Sequence, residues 1–194
     1  IDQGAELVIL ASILQQSAVG FYSLPGTTLE FPSDLVNLRV ARIPGDLADV
    51  EFQAMLRQEG LNPRLIDYVK HKPGLQGLLD GTADVIPGYR ITAPYVARSL
   101  GLKLNAIYPF SYGINFYGDS LFCRRELLEA DKELVQQFLQ ASIKGWEYAL
   151  THPEHTARRI ATRLERVTHV DNPLAFNLFQ SREVLGLTHY PYIP

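Results

Sequence analysis

The sequence has little cysteine and no excess of basic residues, and these are the residues typical of disulfide-bonded and of nucleic-acid-binding proteins. Its 194 residues include a single cysteine, Cys123, so no disulfide can form within the chain. Lys and Arg number 18 against 21 Asp and Glu, and no run of basic residues is longer than two. Because nucleic-acid binding depends on basic surfaces that release counterions from phosphates, nucleic acid is not an expected partner.

Long apolar runs are absent as well. A membrane-spanning helix needs about 20 mainly apolar residues, whereas the first apolar stretch, Leu7–Leu14, is far shorter and already contains Ser12. The chain begins with Ile1, and no charged segment followed by an apolar core stands at its start. We therefore expect that any signal peptide has already been removed.

The common catalytic and phosphate-binding motifs are also missing. The sequence has no Gly-x-Ser-x-Gly, no Gly-x-x-x-x-Gly-Lys and no Gly-x-Gly-x-x-Gly. His152 and His155 are three residues apart on a predicted helix, but no third ligand lies near them in sequence, and zinc takes at least three protein ligands. We therefore expect no catalytic residue, no metal and no cofactor.

Strands and helices alternate through the first half of the chain. Branched aliphatic segments bounded by Gly, Pro and polar residues predict strands at Leu7–Leu14, Val19–Leu24, Leu38–Ile43, Leu65–Val69, Ala83–Ile86 and Leu104–Tyr108. Helices are predicted between them, from Asp46 to Gly60 and at Leu75–Leu79 and Ala93–Leu100. This alternation is typical of parallel βαβ units, which bind ligands beyond the carboxyl ends of their strands.

The last third of the sequence is helical. An apolar stripe with a period near 3.6 predicts a helix over Asp131–Leu150, with Phe138, Leu139 and Trp146 in the core. Thr151-His-Pro-Glu154 has the form of a capping box before a second helix that ends near Leu164. Another helix is expected over Pro173–Val184. The chain is thus predicted to be α/β with a helical C-terminal part.

Four segments resemble one protein family: Ile13–Val19, Ile43–Asp46 with Glu51, Ser111–Phe122 and Ala141–Glu154. In them the chain is similar to the periplasmic substrate-binding proteins that include receptors for thiamine-pyrimidine precursors and for alkanesulfonates. The Tyr-Gly-x-x-Phe-Tyr-Gly-Asp form within the third segment also resembles versions fused to membrane-bound signalling proteins.

The resemblance implies a two-lobed α/β fold of the periplasmic-binding-protein type II. Residues 1–34 and 113–194 would form lobe one, and residues 35–112 lobe two. Members of the family begin with another βαβ segment before the strand at Leu7, so we expect lobe one to be incomplete at its N-terminus.

The implied function is capture of a small molecule by hinge closure, without chemistry, in the periplasm or another extracytoplasmic space. The partner that recognises the closed conformation would be a membrane ABC permease or a fused kinase or cyclase module. Two alternatives stay open. One is the thiamine-pyrimidine-synthesising enzyme of the same fold, whose cysteine-rich motif one cysteine cannot supply. The other is a divergent domain that binds only a protein partner.

One departure from the family bears on the ligand. Where members often have Asn-Glu-Pro after the strand Ala83–Ile86, this chain has Thr92-Ala93-Pro94. The carboxylate that could hold a cationic or amine-bearing ligand is therefore absent at Ala93, and the identity of the ligand is open.

Candidate ligand-binding residues lie at predicted strand ends. The first predicted strand is followed by Gln15, Gln16 and Ser17, whose polar groups can form hydrogen bonds with a heterocycle or simply face solvent. Gly45 and Asp46 form a strand-to-helix turn, which suits a polar, uncharged ligand group, or in which Asp46 is only the N-cap.

Four more candidates come from later segments. Tyr89 can stack on a planar ligand, and Arg90 can pair with a carboxylate or phosphate unless it is merely solvated. By resemblance, Tyr112 lies in the segment that crosses back between lobes, with Asn115 beside it. We predict one pocket, formed by residues 15–17, 45–46, 89 and 112, for a planar and largely neutral heterocycle.

Overall fold

The computed structural model describes residues 4, 6–164 and 172–188. The strands are β1 (Leu7–Ser12), β2 (Val19–Ser23), β3 (Arg39–Arg42), β4 (Asp67–Lys70), β5 (Ile86–Tyr89), β6 (Asn105–Ile107) and β7 (Ser120–Arg124). The helices are α1 (Leu47–Gln58), α2 (Gln76–Leu79), α3 (Ala93–Ser99), α4 (Arg125–Ala130), α5 (Lys132–Thr151), α6 (Pro153–Leu164) and α7 (Pro173–Leu187). The backbone divides into two compact units, one of residues 1–17 and 117–194 and one of residues 18–116.

The second unit is built on a mixed sheet. β3 pairs with β4 in parallel, and β2 lies antiparallel between β5 and β6. A parallel bridge between Val40 and Val85 joins the two groups, and Ala41 N donates to Val85 O at 2.8 Å. The predicted adjacent, parallel arrangement of the segments near 38–43, 65–69 and 83–86 is confirmed, although β5 itself begins only at Ile86.

Helix α1 begins and ends where its sequence dictates. The side chain of Asp46 accepts a hydrogen bond from Asp49 N at 2.8 Å and so caps the first turn. Ala48, Phe52 and Met55 recur at helical spacing, and all three are buried. The chain leaves the helix before Gly60, whose φ of 67° is a left-handed conformation that glycine adopts without strain.

Both faces of the sheet in the second unit are covered by apolar side chains. Successive residues of a strand point to opposite faces, and in β2 Phe21 and Tyr22 accordingly belong to two different core clusters. Phe21 packs against Phe52 of α1 with ring centroids 4.8 Å apart. Tyr22 lies in the cluster that contains Leu78 of α2 and Ala97 of α3. The helices thus pack on both sides, as in other α/β domains.

The first unit combines a two-stranded sheet with helices. β1 pairs antiparallel with β7, and a register shift between Ile9 and Ala11 marks a bulge. The predicted helical C-terminal part is present as α5, α6 and α7. The prediction that Phe138 is a core residue was wrong, since its side chain is 59% exposed. Phe138 lies at the edge of the buried stripe of α5, which runs through Val135 and half-buried Leu139.

The compact units do not coincide with the lobes predicted from the sequence. Residues 18–34 were assigned to lobe one, yet the structure groups them with the second unit. The reason is that β2 is hydrogen-bonded to β5 and β6 on its two sides, and Leu29 is buried in the core of that unit. The lobe boundaries of the complete two-lobed protein stay a prediction.

Candidate functional site

A pocket of about 380 Å³ lies in the second unit. This volume falls within the range of small-molecule sites. The pocket is lined by Ile43, Asp46, Ala48, His71, Gly74, Leu75, Ile86, Pro87, Gly88, Tyr89, Thr92, Ala93 and Val96.

Three of the polar lining residues follow three neighbouring strands. Asp46 comes after β3, His71 comes directly after β4, and Tyr89 is the last residue of β5. β3 runs parallel both to β4 and to the segment that enters β5. Because the carboxyl ends of parallel strands meet at one edge of a sheet, the pocket occupies the position where ligands bind in folds of this kind.

The structure shows one of the two roles that the sequence left open for Asp46, and a ligand contact by this residue stays a prediction. Asp46 is the N-cap of α1, and it also lines the pocket. The neighbouring turn is held by a second carboxylate, since Asp49 Oδ2 accepts hydrogen bonds from Gly45 N at 2.8 Å and from Arg42 Nη2 at 2.7 Å. Gly45 adopts a φ of 81°, which an L side chain would strain.

His71 is a pocket residue that the sequence analysis did not single out. Its backbone N donates to Arg42 O at 3.3 Å, which fixes it beside the end of β3. Its Nδ1 is buried and has no hydrogen-bond partner. Burial lowers the pKa of His71 below its ordinary value of 6.5, and the nearby charge of Asp46 opposes this effect only in part. The imidazole is therefore neutral at neutral pH.

The walls of the pocket are mainly apolar. Leu75 and Ile86 belong to the core, and Val96 of α3 is 39% exposed at the pocket. Ala93, at the position where the sequence lacks the family's glutamate, also lines it. The described lining residues include one carboxylate, that of Asp46, and neither lysine nor arginine.

Four of the predicted site residues of this unit are not among the lining residues: Gly45, Arg90, Tyr112 and Asn115. Arg90 donates its backbone N to Ala18 O, and its guanidinium lies 5.8 Å from the ring centroid of Tyr108. Tyr112 Oη donates to Glu30 O at 3.1 Å, and its ring packs against the core cluster of Phe21. Asn115 is exposed. A ligand contact by these four residues stays a prediction.

The remaining candidates belong to the first unit. Gln15 and Ser17 are buried, with 5% and 4% of their surface exposed, so they are not a solvated strand end. Gln15 Nε2 donates to Ser12 O at 3.1 Å, and Gln16 N donates to Leu187 O at 3.2 Å. Their role as ligand contacts also stays a prediction.

Two further properties concern the described part of the chain as a whole. Within residues 4, 6–164 and 172–188, no three His, Cys, Asp or Glu side chains lie close enough together to hold a metal ion. None of the helices described for the chain is both long and apolar enough to cross a membrane.

The structure resembles solved periplasmic binding proteins. It matches the periplasmic aliphatic sulphonate-binding protein SsuA of Escherichia coli with a TM-score of 0.76 at 16% identity, over 99% of this chain and 62% of that one. It matches the alkanesulfonate-binding protein SsuA of Xanthomonas axonopodis pv. citri, solved with MOPS bound, with a TM-score of 0.67 at 18% identity, over 99% and 63%. The chain thus spans less than two thirds of these relatives.

A third match is to an enzyme. A cysteine-to-serine mutant of DSZB, solved in complex with biphenyl-2-sulfinic acid, gives a TM-score of 0.58 at 14% identity, over 94% of this chain and 70% of that one. No curated protein matches the sequence significantly. At these identities the solved structures establish the fold, and the predicted α/β fold of periplasmic binding proteins is confirmed.

The family follows from the sequence itself. The NMT1/THI5-like family model matches residues 1–156, which is most of the chain. This agrees with the resemblance to receptors for thiamine-pyrimidine precursors and alkanesulfonates. The chain belongs to the NMT1/THI5-like family.

Proposed function

We propose that this chain is the ligand-binding part of a substrate-binding component of an ABC import system. The observation that carries the proposal is the pocket formed at the ends of β3, β4 and β5, in a chain with the fold of periplasmic binding proteins. Its partners would be a small molecule and a membrane permease, and its location would be the periplasm or another extracytoplasmic space.

The composition of the pocket supports binding rather than chemistry. Small-molecule sites are mostly apolar with a few placed polar groups that orient the ligand. Here Asp46, His71, Tyr89 and Thr92 supply the polar groups, and the other lining residues are apolar or glycine. Tyr89 is 48% exposed and can cover one face of a planar ligand. Hinge closure around the ligand remains part of the proposal.

The similarity to DSZB favours a second candidate, an enzyme of the same fold. The DSZB structure is that of a cysteine-to-serine mutant, whereas the described lining residues of this pocket include neither cysteine nor serine. The sequence's one cysteine, Cys123, lies on β7 in the first unit. A receptor releases its ligand unchanged, whereas an enzyme converts it, so the same purified protein distinguishes the two.

Native mass spectrometry of the full-length protein, followed by release and identification of any retained small molecule, tests the proposal. The variant Val96→Trp fills the pocket from α3 and should release the molecule. Its matched control is Val50→Trp, because Val50 is 44% exposed on α1 and does not line the pocket. Retention by the control and loss from the blocked variant supports the proposal, and equal retention by both rejects this pocket.

The ligand itself can be sought among two classes suggested by the family. Thermal shift with ethanesulfonate and with an aminopyrimidine precursor of thiamine compares them directly. If the ligand is recovered chemically unchanged after prolonged incubation with the protein, the result supports a receptor. If the ligand is converted to a product, the result supports the enzyme. A transmembrane helix and a kinase or cyclase module in the same gene would instead assign a sensor role.

A further inference from the structure

The charges around the pocket do not cancel. Asp46 contributes a carboxylate to the lining. Arg42 at the end of β3 is a basic residue of the same strand-to-helix turn, but its Nη2 donates to Asp49 Oδ2 at 2.7 Å, and its guanidinium lies 4.6 Å from the ring centroid of Tyr68. Arg42 and Asp49 therefore neutralise each other, and the charge of Asp46 is left over.

His71 does not supply the missing positive charge at neutral pH. A charged imidazole carries hydrogen on both ring nitrogens, and here Nδ1 is buried with no acceptor in reach. Protonation would leave an unpaired buried N–H, which is unfavourable. Burial accordingly lowers the pKa of His71. Of the neighbouring lysines, Lys72 is paired with Asp80 at 2.7 Å, and Lys70 is exposed.

We propose that Asp46 and neutral His71 make this pocket selective for ligands that carry an N–H donor and a positive or zero charge, and that they exclude anions. The inference rests on the proposed function and narrows its ligand class. A carboxylate in an apolar pocket gains a charge-assisted hydrogen bond from such a donor. A sulfonate or carboxylate would instead meet Asp46 with no cation among the described lining residues to offset the repulsion.

One oxygen of Asp46 is already used within the protein. Oδ1 accepts the hydrogen bond from Asp49 N that caps α1. A carboxylate has about four acceptor positions on two oxygens, so capping leaves capacity for a ligand donor. The selectivity also separates this chain from its structural relatives, since two of them are named for the aliphatic sulphonates and alkanesulfonates that they bind.

The test uses three probes with the same ring and different charges: benzylammonium, benzyl alcohol and benzenesulfonate. Their affinities for the full-length protein, freed of endogenous ligand, are measured by isothermal titration calorimetry at neutral pH. We expect benzylammonium to bind most tightly and benzenesulfonate least. Asp46→Asn should weaken benzylammonium binding about tenfold, as the loss of one charge-assisted bond implies. It should weaken the binding of benzyl alcohol less, because the neutral hydroxyl can still donate to the amide oxygen of asparagine.

Asn is also a good N-cap, so Asp46→Asn keeps α1 capped. The matched control is Asp131→Asn, because Asp131 caps α5 in the first unit through a hydrogen bond from Leu134 N at 2.9 Å. It should leave the affinities of all three probes unchanged.

The outcomes separate the inference from the function on which it rests. Tighter binding of benzenesulfonate than of benzylammonium, or equal affinities in the wild type and Asp46→Asn, overturns the charge selectivity while the pocket remains a binding site. Failure of all three probes to bind overturns the inferred ligand class. Probe binding that survives Val96→Trp means that this pocket is not the site, and then the proposed function fails with it.

Discussion

Arg39 binds the carboxylate of Asp84 through three hydrogen bonds. Its backbone N and its Nε donate to Oδ2 at 2.9 and 3.0 Å, and its Nη2 donates to Oδ1 at 2.6 Å. Asp84 N donates in return to Arg39 O at 2.9 Å. The pair ties β3 to the segment entering β5, and these two strands position Asp46 and Tyr89 at the pocket.

Removing this carboxylate should destabilise the second unit in a pH-dependent way. The hydrogen bonds from Arg39 lower the pKa of Asp84 below its ordinary value of 3.8. The stabilisation is therefore complete above about pH 4 and is lost as the pH falls through the lower pKa of the folded state. We expect Asp84→Asn to unfold at lower urea concentration than the wild type at neutral pH, with the difference vanishing in strong acid.

The control for this substitution is Asp67→Asn. Asp67 is an exposed carboxylate on β4 that interacts with Arg39 through charge alone. Its replacement should change stability much less, because a surface charge pair contributes little. A pH-independent difference between Asp84→Asn and the wild type would contradict the assignment of the effect to ionised Asp84.

His71 should make the protein less stable in mild acid. Its pKa is lowered in the folded state, so the unfolded chain binds a proton more readily as the pH drops below about 6.5. Stability is thus complete above that pH and declines as the pH falls through the pKa of the folded protein. In His71→Phe this contribution is absent, and we expect the wild type to lose stability relative to the variant between about pH 7 and pH 5.

Chemical denaturation across that pH range measures the effect. Asp46→Asn removes the negative charge that partly stabilises protonated His71. We therefore expect the stability of this variant to decline more steeply with falling pH than that of the wild type. Parallel stability curves for the wild type and His71→Phe would show that His71 does not titrate differently on folding.

Most of the second unit was predictable because its elements are locally specified. β3 and α1 have clear periodicity, and the turn between them has glycine at a left-handed position with an N-cap after it. The C-terminal helices were predicted for the same reason. In contrast, β7 (Ser120–Arg124) and α4 (Arg125–Ala130) were missed, since β7 is a strand through its pairing with β1 and α4 is short.

The capping box predicted at Thr151 illustrates competition between local hydrogen bonds. In the structure Thr151 is the last residue of α5, and its Oγ1 donates to Glu147 O at 2.7 Å. The preceding turn of α5 therefore engages the hydroxyl, while the next helix still begins at Pro153, close to the predicted position.

The sequence analysis identified some of the polar residues that line the pocket and missed others. Asp46 and Tyr89 were found because each follows the carboxyl end of a predicted strand, at a turn. His71 satisfies the same rule, since it follows β4, but in Val-Lys-His-Lys it reads as part of a charged, solvated segment. Its burial depends on the backbone hydrogen bond to Arg42 and on packing that no local pattern encodes.

Two glycines should respond oppositely to alanine. A Cβ at Gly20 in β2 would lie 2.7 Å from Tyr22 Oη and 2.8 Å from the ring of Tyr108, so Gly20→Ala must displace the buried Tyr22 and the partly buried Tyr108. We expect its free energy of unfolding to fall by about 2 kcal/mol. Gly145 lies within α5, and a Cβ there meets no atom within 4 Å. Gly145→Ala should stabilise the protein by about 0.5–1 kcal/mol, because alanine favours the helix. Urea denaturation of both variants decides, and a Gly20→Ala protein as stable as the wild type would contradict the close packing around β2.

Tyr89 and Tyr112 provide the sharpest test of which predicted residues contact the ligand. Tyr89 is 48% exposed and lines the pocket, so Tyr89→Ala should weaken binding about 3- to 10-fold through the lost aromatic contact and leave stability nearly unchanged. Tyr112 instead donates to Glu30 O and packs against the core, so Tyr112→Ala should lower the free energy of unfolding by about 2 kcal/mol.

Calorimetric titration of benzylammonium, or of the molecule released from the native protein, gives the binding half of this comparison, and urea denaturation of the ligand-free variants gives the stability half. Tyr112→Phe refines the second case, because it keeps the packed ring and removes only the hydrogen bond to Glu30 O. We expect it to retain full affinity and most of the stability. A loss of affinity in Tyr112→Phe at unchanged stability would assign the hydroxyl of Tyr112 to the ligand, as the sequence first suggested, and would place the binding surface beyond the pocket at the ends of β3, β4 and β5.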